Sequence, residues 1–183
     1  MPTADLIYTS TVSSNWGGAN INNIETDNNT YADADAIGQI AIFELTNLPV
    51  EAATINSVQL FLEGAYIELR GANATLTTSI TDGSNSVYFN ENQALNENVV
   101  NYTQTIRTTS DGSTAWTVSQ VNAIRIALKA TDAIPNIGNG IRIDFLKLIV
   151  DYNVGVTYYD NTLNNIVINS GTIELSEGTI ILD

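Results

Sequence analysis

Apolar and polar residues alternate along most of this chain with a period of two, the spacing that puts every second side chain on one face of a strand. The runs that carry it are Asp5 to Val12, Ile40 to Thr46, Thr54 to Glu63, Ala65 to Arg70, Ala74 to Thr81, Ser86 to Phe89, Tyr102 to Thr108, Asn122 to Ala130 and Ile141 to Tyr152. They are short and rich in Ile, Val, Thr, Tyr and Phe, with turn sequences such as Asp82-Gly83-Ser84, Asp111-Gly112-Ser113 and Gly138-Asn139-Gly140 between them. The pattern predicts an all-β domain. Val58, Leu60 and Leu62 share one phase, and Ile124, Ile126 and Leu128 share another with Arg125 and Lys129 facing out, so each strand has one buried and one wet face, as in an antiparallel β-sandwich. Ile141, Ile143 and Phe145 lie in one phase but Leu146, Leu148, Val150 and Tyr152 in the other, which predicts a bulge near Phe145 or a strand buried on both faces. Helix is scarce: Gln93 to Val99 and Val118 to Ala123 each suit a turn or two.

The last residues follow a different rule. Ile166, Ile173 and Ile180 recur at a period of seven, as do Ile168, Leu175 and Leu182, and Gly171 and Gly178 sit in the links. Each unit sets two apolar side chains at i and i+2, one face of a strand. A coiled coil needs spacings of three and four and tolerates no glycine in every repeat, which would cost about 1 kcal/mol each time. Strands this short bury almost nothing alone and become stable only when neighbours cover them. The division this predicts is a domain over residues 1–153 and an oligomerising short-strand tail over 154–183, β-helix-like or β-prism-like.

Composition narrows the chemistry. There are 183 residues, 20 acids against 6 Lys and Arg, a formal charge of −14, no cysteine and no histidine. Disulfides and thiolate chemistry are out, and so are the commonest general base and the commonest transition-metal ligand. Such a surface repels nucleic acid phosphates and anionic headgroups. The opening Met-Pro-Thr-Ala-Asp-Leu has no basic n-region, and no stretch of about 18 apolar residues occurs, which predicts a soluble product made in the cytoplasm with no membrane partner.

Two stretches lack strand pattern, Ser13 to Ala36 and Phe89 to Asn101. In the first, Asp27, Asp33 and Asp35 supply hard oxygen ligands suited to calcium, although the spacing is not that of an EF-hand and a solvated acidic loop is the plainer reading. Trp16, flanked by Asn15 and two glycines, and Tyr31 offer ring faces for a sugar; Trp116, opening a strand-like segment, reads as core. Paired carboxylates are the one hydrolytic route open without His or Cys, and Asp144 beside Arg142 is the first acid to examine, with a structural Asp–Arg pair as the plain alternative. Nothing else has catalytic spacing, so the expectation is that the chain is not an enzyme.

The layout from Leu6 to Tyr152, with its Asn/Gly/Trp loop, Ala115-Trp116-Thr117, Ile124-Arg125-Ile126-Ala127-Leu128 and Arg142-Ile143-Asp144-Phe145-Leu146-Lys147-Leu148, resembles the jelly-roll domains of tailed-phage virion proteins. The tail resembles the trimeric β-spikes that some capsid decoration proteins and fibres carry. That resemblance implies a homotrimeric decoration or cement protein of the virion, bound to the major capsid protein or another virion protein, with Ile166, Ile168, Ile173, Leu175, Ile180 and Leu182 buried on a common axis. The alternative is the carbohydrate-binding domain of a phage fibre or cell-surface protein, with a glycan held by Trp16 and the Asp27 to Asp35 loop.

Overall fold

The structure, a computed structural model, describes residues 2–16, 24, 31–67, 74–131 and 140–155. Asp27 and the whole repeat tail, including Ile166, Ile168, Ile173, Leu175, Ile180 and Leu182, lie outside the described residues.

Ten strands and one short helix make up the described chain: β1 (Thr3–Ser14), β2 (Ala32–Ala34), β3 (Ile40–Leu45), β4 (Ala52–Ile67), β5 (Ala74–Thr81), β6 (Val87–Leu95), β7 (Val100–Thr103), α1 (Val118–Asn122), β8 (Arg125–Ala130), β9 (Ile141–Ile143) and β10 (Phe145–Val154). Every strand pairing is antiparallel. The hydrogen-bonded order is β2-β9-β4-β10-β1-β3-β8-β5-β6, with β7 on the free side of β4. β1 joins two layers: Thr3 to Ile7 face β10, whereas Tyr8 to Ser14 face β3, with register shifts at Tyr8/Ser10 and Thr11/Ser13. A bulge strengthens local twist, which lets one strand leave a sheet and enter another.

The two layers share one core. Leu6, Leu60, Leu62, Leu146, Leu148 and Val150 come from the β4-β10-β1 layer, and Phe43, Leu76, Ile80, Ile126 and Leu128 from the β3-β8-β5 layer, all in a single buried cluster. This is the β-sandwich-like, all-β architecture that the period-two pattern predicts. Each large side chain so buried contributes about 1.5–3 kcal/mol relative to exposure. Buried hydroxyls on the same faces are satisfied: Thr78 Oγ1 donates to the Glu91 carbonyl at 3.3 Å and Thr81 Oγ1 to the Arg125 carbonyl at 3.1 Å.

Several local expectations change. Thr54 to Glu63 and Ala65 to Arg70 read as two strands, yet β4 runs unbroken from Ala52 to Ile67. It bends at Gly64, whose φ of +62° is left-handed and whose N–H donates to Asn101 Oδ1 at 3.0 Å. The phase switch near Phe145 falls at Asp144, beside the left-handed Gly64: β9 and β10 pair with β4 in one continuous register, while their other neighbour changes from β2 to β1. Gln93 to Val99 is not a helical turn, because β6 continues to Leu95 in register with β5, where Leu95 faces Ala74 and fills the core. Val118 to Ala123 does begin as helix. Thr117 accepts from the Gln120 amide, the Gln120 side chain answers the Thr117 amide, and Val121 is the buried anchor.

Candidate functional site

The described acidic residues of the first loop, Asp33 and Asp35, do not converge. Asp33 on β2 stands directly opposite Arg142 on β9, and Arg142 stands opposite Tyr66 on β4. One cross-strand row results: Asp33 Oδ1 lies 2.8 Å from Arg142 Nε, and Arg142 Nη1 donates to the Tyr66 hydroxyl at 3.4 Å. Arg142 therefore makes an ion pair across the sheet. Asp144, 3 % exposed, lies under the β4 bend. Tyr31 packs edge-on against Tyr66 with ring centroids 5.2 Å apart, so it is a half-buried member of this cluster. Burial pushes the Tyr31 phenol above its ordinary pKa, Tyr66 and Asp144 add to the rise, and Arg142 opposes it.

Asp35 points elsewhere. Gln39 Oε1 accepts from the Asp35 and Ala36 amides at 2.7 and 3.0 Å, and Gln39 Nε2 donates to Asp35 Oδ1 at 2.7 Å, closing a turn. Asp33 and Asp35 thus have separate partners, and among the described residues no group of three or more acidic side chains gathers to hold a metal. The geometry of these two acids serves the backbone and the sheet.

Trp16 corrects the expectation of an exposed platform. It is only 4 % exposed and offers no ring face for stacking; its amide donates to Ser14 Oγ at 3.0 Å, and its indole N–H has no acceptor among the described residues. Apolar burial of the ring outweighs one unsatisfied donor, which costs about 1–3 kcal/mol. Trp116 is core, as its position suggests. Its ring meets Tyr88 at 5.1 Å and Phe89 at 6.2 Å, and its Nε1 donates to the Arg107 carbonyl at 3.0 Å.

One concave feature of the described residues lies where no motif points. A cleft of about 530 Å³ opens at one end of the sandwich, between the end of β3 and its following residues, the 82–85 turn and the end of α1. Glu44 and Arg125, directly opposite on β3 and β8, form its charged wall at 2.8 Å. Ser10 Oγ donates to the other Glu44 oxygen at 3.0 Å, and Arg125 Nη1 donates to the Gly83 carbonyl and, at 3.3 Å, to Asn85 Oδ1. These bonds, Arg125 first and Ser10 second, hold the Glu44 carboxyl below its ordinary pKa, so it is ionised at neutral pH.

The other walls are equally fixed. Asp82 Oδ1 accepts from the Ser84 amide and hydroxyl and the Ser86 amide at 2.7–2.8 Å, which tightens the turn and lowers the Asp82 pKa. Asn85 takes a left-handed φ of 68°, a conformation Asn tolerates better than most side chains. The Leu48 amide donates to Asn122 Oδ1 at 2.8 Å, tying the segment after β3 to the helix end. Sequence reasoning recognises Arg125 as outward-facing, but Glu44, Gly83 and Asn122 are far apart in the chain and only the strand pairing assembles them.

No family model and no curated protein matches this chain. Among the described residues no helix is long and apolar enough to cross a membrane.

Proposed function

We propose that this chain is a structural protein of a virion, a homotrimeric decoration or cement protein that stabilises a phage head. Two features support the reading, and the repeat tail placed directly after the domain carries it.

The strand pairings are nested. β1 pairs with β10, β3 with β8, β4 with β7 and β5 with β6, so the chain is a long antiparallel hairpin folded at the β5–β6 turn and rolled up. Rolling brings β10 against β4 and β8 against β5. Eight strands wound in this way suit a jelly roll, an architecture common in capsid proteins. β2 and β9 add a small extension at the end of β4.

In the proposed trimer, residues 154–183 of three copies associate about the threefold axis. Ile166, Ile168, Ile173, Leu175, Ile180 and Leu182 then leave water together, at about 1.5–3 kcal/mol for each side chain fully buried, which offsets the entropy of ordering the tail. A shell protein gains from such a module because three linked domains bind a capsid surface with the effective concentration of a tether. No catalytic role enters this reading.

Light scattering on the purified chain tests the first half. The full chain is expected to have the mass of a trimer, and a chain ending at residue 155 the mass of a monomer with an unchanged β-type circular dichroism spectrum. A full chain that is monomeric at micromolar concentration, or a truncated chain that is still trimeric, overturns the tail's role. Co-sedimentation with phage capsids, mature and expanded, tests the second half; a trimer that binds neither overturns the decoration role.

A further inference from the structure

We propose that the cleft beside Glu44 and Arg125 is a binding site for a short, uncharged saccharide. It goes beyond the structural role above and does not depend on it.

Size and rigidity make the cleft a site. Its volume of about 530 Å³ lies within the usual range of small-molecule pockets. Its walls are preorganised: the Asp82 turn, the Leu48–Asn122 bond and the Ser10–Glu44–Arg125 chain hold all three sides. A ligand entering it orders little, and preorganisation of this kind is where affinity comes from in small polar sites.

Its chemistry selects the ligand. The one carboxylate and the one guanidinium of the lining neutralise each other at 2.8 Å, so the cleft has no net charge to offer. A phosphate or carboxylate ligand finds no second cation, and a divalent metal finds no second acid. What remains is a dense set of neutral donors and acceptors. Thr9, Thr46 and Asn47 bring two hydroxyls and an amide, and Asn122, whose Oδ1 is taken by the Leu48 amide, keeps its Nδ2 as a donor. Leu45 and Ile124 supply the apolar part of the lining. Vicinal sugar hydroxyls donate and accept at once, and the C–H face of a pyranose matches a small apolar surface, so a saccharide satisfies both halves. The bonds Glu44 already makes to Ser10 and Arg125 aim its remaining lone pairs, which lets it accept from a sugar hydroxyl as an ionised acceptor.

The experiment is ligand-observed saturation-transfer NMR, with calorimetry, on the full chain against a panel of neutral mono- and disaccharides at roughly 10 mM, well above a millimolar Kd. At least one sugar is expected to bind. Asn47→Ala, at an exposed side chain, is expected to weaken it about tenfold, the effect of losing one good hydrogen bond. Glu44→Gln is expected to weaken it further. Should Asn47→Ala fail to fold, Thr9→Val, also at an exposed residue, takes its place. Absence of binding by every sugar overturns the proposal, as does equal binding by wild type and all folded variants, and so does inorganic phosphate bound in preference to sugar. The oligomeric state of the chain enters none of these outcomes.

Discussion

Replacing Gly64 by alanine tests how β4 serves two sets of neighbours. Gly64 has a left-handed φ of +62°, its N–H is bonded to Asn101 Oδ1, and the pairing of β4 with β7 shifts register between Leu62 and Ala65. An alanine Cβ there would lie 2.8 Å from the Asp144 Cβ and 3.6 Å from Tyr31 Cε1. The first contact is far inside the 3.5–4.0 Å optimum for carbon atoms. Asp144 has little room to retreat: it is buried, and its amide donates to the Glu63 carbonyl at 3.1 Å. Two costs add. Left-handed backbone costs an L-residue about 1–2 kcal/mol, and overpacking of a filled site about 1–3 kcal/mol, for a total of about 2–5 kcal/mol. Gly112 is the control, because its φ is +89° but an added Cβ meets nothing within 4 Å. Gly112→Ala should therefore show the backbone cost alone. Any entropy the two alanines remove from the unfolded chain cancels in the comparison. Urea unfolding followed by tryptophan fluorescence gives both values, with the m-value as a check that the unfolded states match. If the two variants lose stability equally, to within about 0.5 kcal/mol, the steric account of the β4 bend is refuted.

Other predictions follow from single groups. Trp116→Phe should cost about 1 kcal/mol more than Trp16→Phe in thermal melts, since only the first breaks an indole hydrogen bond and the second removes a donor that has none; equal costs would overturn this assignment. Burial pushes the Tyr102 phenol up to about 12, and its hydroxyl has no bonding partner. Below pH 10 both folded and unfolded chains keep that proton. Between about 10 and 12 only the unfolded chain releases it, so stability should fall across this window and Tyr102→Phe should flatten the fall in a pH series of melts. At the acid end the sign reverses: hydrogen bonds from the Thr114 and Ser113 amides and hydroxyls hold the Asp111 carboxyl far below its ordinary pKa. The stability it contributes is present at neutral pH and lost as pH falls below about 4, so Asp111→Ala should lower the Tm at pH 7 but hardly at the acid end.

Which parts of this were legible before folding has a physical explanation. Alternation marks a strand wherever one face meets the core and the other meets water, so Ala74 to Thr81 is read to the residue and the strand from Ile40 nearly so. It misleads where a third party sets the geometry. Gly64 looks like a break between two strands and is instead a hinge inside one, because Asn101 and Asp144 hold the bend from outside. Residues 93–95 carry weak strand signal, and pairing with β5 decides their state. Trp16 beside two glycines looks exposed, but a large ring gains more from burial than its local sequence reveals. The candidate cleft was the least legible, since Glu44 and Arg125 become neighbours only through the pairing of β3 with β8.

The pairing of Thr3 with Asp151 has a kinetic consequence. The domain's first strand finds its partner in its last, so the β4-β10-β1 layer cannot close on the ribosome until residue 154 has emerged. Almost every pairing spans a long stretch of chain, and such topologies fold in milliseconds to seconds rather than microseconds. Until closure, β4 is exposed along one edge with its apolar face open, in a chain with few lysines to discourage edge-to-edge association. The strong net negative charge, carried by every copy, opposes association of such unfinished chains while they wait for β10.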